Sequence, residues 1–186
     1  MHRYQVHLQT LEWMIPHFNQ SALLKWVSHH NQRVLTALQQ NSSWNEVTAL
    51  QNSVVSLPKD GQLFIGNSMP IRDLNNYIDI HPIPVYSNRG ASGIDGLSST
   101  ALGIHLSTNK PTLLVLGDLS LMHDFGVLFT MQSMTFHQAL VIVVINNFGG
   151  GIFGMLPISE QKDIFDTHFA TVHTHTLASV AEAMGI

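Results

Sequence analysis

From Gln62 onward, short unbroken apolar runs alternate with stretches that are small, polar or glycine-rich. QLFIG gives way to GNSMP, PVYS to NRGASGIDG, TLLVLG to DLS, and ALVIVVI to NNFGGG. The runs are continuous rather than alternating, the pattern of strands covered on both faces. A helix-like segment follows each run. The chain therefore predicts a doubly wound α/β fold, a parallel sheet with helices on both faces, beginning near Gln62.

The preceding stretch has a different period. In SALLKWVSHHNQRVLTALQQ, Leu23, Leu24, Trp26, Val27, Val34, Leu35 and Leu38 recur at helical spacing. In SWNEVTALQNSVVSL, Ser43 and Glu46 form an S-x-x-E capping box ahead of Val47, Leu50 and Val54. Residues 21–57 thus read as a helical lead-in to the domain 21–186. Residues 1–20, interrupted by Pro16, have no clean period and read as a linker or the remnant of a preceding domain. At the other end TLASVAEAMG predicts a helix with Thr176 as N-cap and Gly185 closing it. No further strand follows that helix, so truncation at the C-terminus is expected.

Composition adds that much of the surface is covered. Hydrophobic residues make up 45% and charged residues only 11%, against roughly 25% charged in average soluble proteins. A large domain or subunit interface, and hence a homo-oligomer, is expected. The net charge is −4 and the eight cationic side chains are scattered singly, which argues against nucleic acid as a partner. Cysteine is absent, excluding disulfides and thiolate metal sites and fitting a reducing cytoplasm. No apolar run approaches the roughly 18–20 residues of a membrane span, and the first twenty residues lack a signal-peptide core. A cytoplasmic location is expected. The twelve histidines make net charge climb as pH falls through roughly 6.5, which bears on solubility.

In open parallel sheets ligands bind beyond the carboxyl ends of the strands, where all four unusual loops fall. GDLS and NNFGG are separated by 27 residues between Asp118 and Asn146, enough for one crossover helix and a return strand. Side by side, they offer the Asp118 carboxylate, the Asn147 amide oxygen and the carbonyl of a glycine just beyond it. These are three oxygen ligands of an octahedral Mg²⁺ site, with positions left for phosphate oxygens and water. Backbone N–H groups at the start of the following helix would face those phosphates. Either loop alone reads equally well as an N-cap and a turn after a buried strand; the pair at crossover spacing favours the metal.

GD followed by NN at this distance resembles the diphosphate-binding signature of thiamine diphosphate enzymes. With SNRGASGIDG and GNSMPIR, the chain from Gln62 to Pro157 resembles the 2-succinyl-5-enolpyruvyl-6-hydroxy-3-cyclohexene-1-carboxylate synthase family of menaquinone biosynthesis. Leu119 departs from the small residue usual after GD and narrows the match to that family. The resemblance implies that Asp118, the Asn147 side chain and the Gly149 carbonyl hold Mg²⁺, or Mn²⁺ in its place. It implies that Ser92, Gly93, Gly117, Leu119, Ser120, Asn147 and Ile152 meet the cofactor, and that Ile94 is the apolar wedge that bends it. The implied reaction decarboxylates 2-oxoglutarate and adds the product carbanion to isochorismate. Ser68, Arg72 and Arg89 would bind substrate carboxylates, a role that suits a planar guanidinium. Ile152, Phe153 and Leu156 would line the substrate side.

The resemblance also implies an activating glutamate from an N-terminal cofactor domain of a partner subunit. Glu12, Glu46, Glu160 and Glu182 do not match its context, so the chain is expected to be a fragment, inactive alone. Two other readings stay open: a stand-alone Mg-diphosphate-binding module, and an acetolactate-synthase-like enzyme. His168, His173 and His175 in HFATVHTH lie close together, but lack an acidic or histidine partner at helical spacing for a zinc site. His123 follows GDLS with proximity as its only claim, and no G-x-S-x-G elbow supports a serine hydrolase.

Overall fold

The computed structural model describes residues 44–78 and 83–186, together with Lys25, His29, Arg33 and Thr36. The segment 1–20 and the apolar positions of the helix expected from Ser21 lie outside the described residues. The four isolated residues are helical and exposed.

Helix α1 (Glu46–Val55) is capped by Asn45, not by the Ser43–Glu46 box expected from sequence. The Thr48 amide donates to Asn45 Oδ1 at 3.0 Å, and the Asn45 amide donates to Thr48 Oγ1 at 2.9 Å. Asparagine satisfies the orphan amides of a first turn as well as serine does. Glu46 therefore becomes the first helical residue, with its carboxylate free for other partners.

The remaining elements follow as β1 (Gln62–Ile65), α2 (Met69–Tyr77), β2 (Val85–Tyr86), α3 (Leu97–Thr108), β3 (Thr112–Gly117), α4 (Asp118–Met122), α5 (Gly126–Gln132) and β4 (Leu140–Ile145). Two 3₁₀ turns, Gly151–Met155 and Pro157–Glu160, lead to α6 (Lys162–His168) and α7 (Leu177–Ala183). The connection from β3 to β4 contains two short helices instead of one. Between them Asp124 leaves the helical path to accept hydrogen bonds from the Ser99 amide, 2.7 Å, and hydroxyl, 2.9 Å, in the first turn of α3. At the last helix Thr176 and Gly185 stand where the pattern put them, Gly185 with φ 77°.

All strands are parallel, in the order β2-β1-β3-β4, with Leu63 opposite Leu113 and Val115 opposite Val143. The chain leaves β1 toward β2 on one side and continues from β3 toward β4 on the other. The loops after β1 and β3 thus diverge and open a crevice at the switch point.

Side chains alternate across the sheet to form two apolar layers. On one face Leu63, Ile65, Leu113 and Val115 pack against Leu50 and Val54 of α1 and Ile71 and Leu74 of α2. On the other, Phe64, Leu114 and Leu116 meet Leu97 and Ala101 of α3, Leu121 of α4 and Leu177 of α7. Strand β4 has the same kind of sequence but stands at the sheet edge, and Val141 is 52% exposed. Among the described residues no helix is long and apolar enough to cross a membrane.

Candidate functional site

The end of β3 delivers Asp118 into the interior, where it is 2% exposed. Its carboxylate is met by three groups. The Leu119 amide donates to Oδ1 at 2.7 Å, the Gly149 amide donates to Oδ2 at 3.0 Å, and His173 Nε2 lies 3.0 Å from Oδ2. The His175 amide donates to His173 Nδ1 at 3.2 Å, so the neutral ring carries its proton on Nε2 and donates to Asp118. An ionised carboxylate has about four lone-pair positions. Three are taken, and one on Oδ1 remains.

The loop after β4 is built to reach this carboxylate. Asn146 Oδ1 accepts from the Phe148 amide at 3.1 Å, closing a turn at the strand end. Phe148 then takes φ 63° and Gly149 φ 150°. A Cβ on Gly149 would run into the backbone carbonyl of Ala170, so only glycine brings its amide to Asp118. The segment after α6 clamps the turn from behind: the Gly150 amide donates to Ala170 O at 2.6 Å and the His173 amide to Phe148 O at 3.2 Å.

Asn147 points its Nδ2 at Glu46 Oε1, 2.9 Å away. Its Oδ1 accepts no hydrogen bond among the described residues. The Gly149 carbonyl accepts from the Gly151 amide at 3.0 Å, which leaves it a second lone pair.

A cleft of about 110 Å³ joins these groups. Its walls include Ser68 from the β1 loop, Ile94 from the β2 loop, Gly117–Ser120, Asn147, Gly149, Ile152 and Phe153. Ten of the residues singled out from sequence thus converge on one crevice at the switch point. Ser92, Gly93, Arg72, Arg89 and Leu156 stand outside its lining. Leu156 is 46% exposed.

Of the two arginines, Arg72 bonds a residue of the cleft wall and Arg89 bonds the residue before it in the chain. Arg72, one helical turn on, donates through Nη1 to the carbonyl of Ser68, a residue held at φ 71°. Arg89 Nη1 donates to Asn67 Oδ1 at 2.7 Å. Asn67 is buried, and its Nδ2 donates to the carbonyls of Asn88, 3.1 Å, and Gly93, 2.6 Å. It thereby ties the loop after β1 to the loop after β2.

Asn67, Glu46 and His173 were not singled out from sequence for these contacts. Asn67 is part of GNS and could have been found there. Glu46 and His173 reach the site from residues far along the chain, and nothing in their local pattern indicates where they point. His168 ends α6 and is exposed, while the His173 and His175 rings stack with centroids 5.6 Å apart. Among the described residues no group of three or more His, Cys, Asp or Glu could hold a metal ion. His123 is exposed outside the cleft lining.

The oxygen set Asp118, Asn147 Oδ1 and Gly149 O suits a hard divalent cation better than zinc, which prefers nitrogen and sulfur. Were all three to ligate one ion, an octahedral cation would keep positions for other oxygens.

Behind the site lies Asp73 on α2, 5% exposed, with no hydrogen-bond partner among the described residues. Burial first, and then the Glu46 carboxylate, push its carboxyl up from 3.8 to about 6. A raised carboxyl contributes stability at low pH that is lost as pH rises through the folded value. Wild type is expected to lose on the order of 2 kcal/mol relative to Asp73→Asn between pH 4 and pH 7. Urea unfolding of the pair across that range measures the difference, and parallel pH profiles would contradict it.

No protein-family model matches the chain. A 2-succinyl-5-enolpyruvyl-6-hydroxy-3-cyclohexene-1-carboxylate synthase of Pelodictyon phaeoclathratiforme is 42% identical over 149 residues, covering 78% of this chain and 25% of the relative. The enzyme of the same name from Prosthecochloris aestuarii is 46% identical over 127 residues, 67% of this chain and 22% of its own. That of Geobacillus kaustophilus is 38% identical over 182 residues, 95% of this chain and 31% of its own. In three dimensions the chain resembles a proposed thiamin diphosphate-dependent enzyme from Mycobacterium smegmatis. The TM-score is 0.56 at 16% identity, covering 77% of this chain and 26% of that one, a likeness of fold. By sequence the chain belongs to the 2-succinyl-5-enolpyruvyl-6-hydroxy-3-cyclohexene-1-carboxylate synthase family, as a segment that spans about a quarter of the length of the relatives it matches.

Proposed function

We propose that the chain is the diphosphate- and metal-binding part, residues 21–186, of a thiamine diphosphate-dependent carboligase that decarboxylates 2-oxoglutarate and joins the remaining four-carbon unit to isochorismate. The observation that carries this reading is the meeting of the buried Asp118 carboxylate with the Asn147–Gly149 turn in a cleft also lined by Ile94. Asp118, Asn147 and the Gly149 carbonyl would hold Mg²⁺ or Mn²⁺. The cofactor, when bound, supplies the electron sink that lets a 2-oxo acid lose CO₂.

The chain's own residues then have separable tasks. Ile94 presents an apolar surface between the β2 and β3 loops, against which a bent cofactor would rest. Gly117, Leu119 and Ser120 form the wall next to the metal ligands, and Ser92 and Gly93 the approach beyond Ile94. Arg72, bonded to Ser68 of the cleft wall, and Arg89, bonded to Asn67 beside Ser68 in the chain, would extend to substrate carboxylates. Ile152, Phe153 and Leu156 would keep water from the reacting carbon.

Phe153 of the cleft wall and the following Met155 and Leu156 are exposed, which supports a covering domain and a second subunit as partners. The activating glutamate would come from that covering domain.

The test is CO₂ release from 2-oxoglutarate by the full-length protein with thiamine diphosphate and Mg²⁺, with isochorismate consumed in step. Arg89→Ala is expected to raise KM for 2-oxoglutarate roughly 10- to 100-fold, the loss of one charged hydrogen-bonding contact. Release from pyruvate instead would assign an acetolactate-synthase-like activity. Binding of cofactor without CO₂ release from either acid would leave a binding module.

A further inference from the structure

We infer that Glu46 is a positioning residue for the metal site, setting the Asn147 amide so that its carbonyl oxygen, and not its NH₂, is offered to the cation. The inference rests on the metal-site reading proposed above.

The oxygen and nitrogen of an asparagine amide are nearly the same size, and which one faces a ligand is decided by hydrogen bonding. Only the oxygen has a lone pair for a cation. The Asn147 side chain is exposed at the end of an edge strand, where packing alone does little to choose between the two orientations. Glu46 makes the choice. An ionised carboxylate accepts and does not donate, so with Oε1 at 2.9 Å the amide must turn its Nδ2 toward Glu46 and leave Oδ1 unclaimed.

A second contact agrees with this orientation. A Cβ on Gly151 would come within 2.5 Å of Asn147 Nδ2 but would stay 3.7 Å from Oδ1. The NH₂ group is therefore lodged between a carboxylate and a bare glycine, and the oxygen lies on the other side. Glu46 also lines the cleft with Asn147 and Asp118. It can reach because Asn45 takes the helix cap, leaving the Glu46 side chain at the first helical position of α1, which packs against β3 and β4.

Two substitutions separate the loss of the partner from the loss of its charge. Glu46→Gln removes the charge and adds an NH₂ that could pair with Asn147 Oδ1, so it only relaxes the choice between two orientations, while an acceptor oxygen stays at the same reach. Glu46→Asp keeps the charge and a favourable helix start but withdraws the carboxylate by one methylene. Mn²⁺ uptake by the full-length protein with thiamine diphosphate, followed by electron paramagnetic resonance, reads the effect without turnover. The Asp variant is expected to bind Mn²⁺ at least about tenfold more weakly, the scale of a lost partner behind a metal ligand, and the Gln variant within about threefold of wild type. Both metal-free variants should keep the far-ultraviolet circular dichroism of wild type, an intact fold although Glu46 also acts on Asp73. Wild-type affinity in the Asp variant, or equal weakening of both, would overturn the inference while leaving the metal site intact. A wild-type protein that takes up no Mn²⁺ with the cofactor would overturn the metal-site reading itself, and the inference with it.

Discussion

Replacing Asp118 with alanine is expected to remove Mn²⁺ uptake in the presence of thiamine diphosphate, weakening it beyond about 100-fold, and to destabilise the metal-free protein at the same time. The first effect follows from the proposed ligand set, in which Asp118 is the only charged member. Losing it should exceed the 10- to 100-fold cost of losing a supporting partner. The second follows from the hydrogen bonds on the page. Alanine leaves the Leu119 amide, the Gly149 amide and His173 Nε2 without their acceptor in a buried place. Each orphaned donor costs about 1–3 kcal/mol, reduced where water enters the space vacated, so a net loss of about 3 kcal/mol is expected in urea unfolding. Asp118→Asn should be intermediate in stability, because one of its two faces must present an NH₂ to a donor, yet equally poor in metal uptake. An alanine variant that still binds Mn²⁺ normally would place the metal elsewhere.

Gly149→Ala is the second large effect. At φ 150° the new methyl group points into the Ala170 carbonyl, with Thr171 O 3.2 Å away. Both obstacles are backbone and cannot rotate aside. The turn must move, and the bonds from Gly149 to Asp118 and from Gly150 to Ala170 O go with it. Strain of this kind costs about 1–3 kcal/mol, and the broken bonds add to it. The expected result is a protein with unchanged far-ultraviolet circular dichroism, a melting temperature several degrees lower and no measurable Mn²⁺ uptake. Gly154→Ala serves as the control. A Cβ there meets nothing within 4 Å, so wild-type behaviour is expected.

The sheet was legible in the sequence because each strand announces itself locally. TLLVLG and QLFI are apolar after their first residue and are buried on both faces. The same reasoning overstated β4, whose apolar run is half-exposed, since a sequence pattern states what a strand can bury and not whether a neighbour covers it. Loop positions were legible for a related reason: strand ends and glycines mark where the backbone must turn, and ligands gather at the carboxyl ends of parallel strands. Hence Asp118, Asn147, Gly149 and Ile94 could be found. The supports of those residues could not. Glu46 reaches Asn147 across 101 positions and His173 reaches Asp118 across 55, and neither contact leaves a periodic trace. The misplaced helix cap has the same origin. Ser-x-x-Glu and Asn-x-x-Thr both satisfy the chemistry of a first turn, and the local pattern does not choose between them.

The clamp behind the glycine turn sets a timetable for the site. Asn147 and Gly149 leave the ribosome before Ala170 and His173, whose backbone and side chain hold the turn in place. At typical synthesis rates of 5–20 residues per second the interval is about 1–5 s. During that time the sheet can assemble while the turn, with Phe148 at positive φ, has nothing behind it. The proposed cation site is therefore completed late, only once the segment through His173 has closed behind the turn.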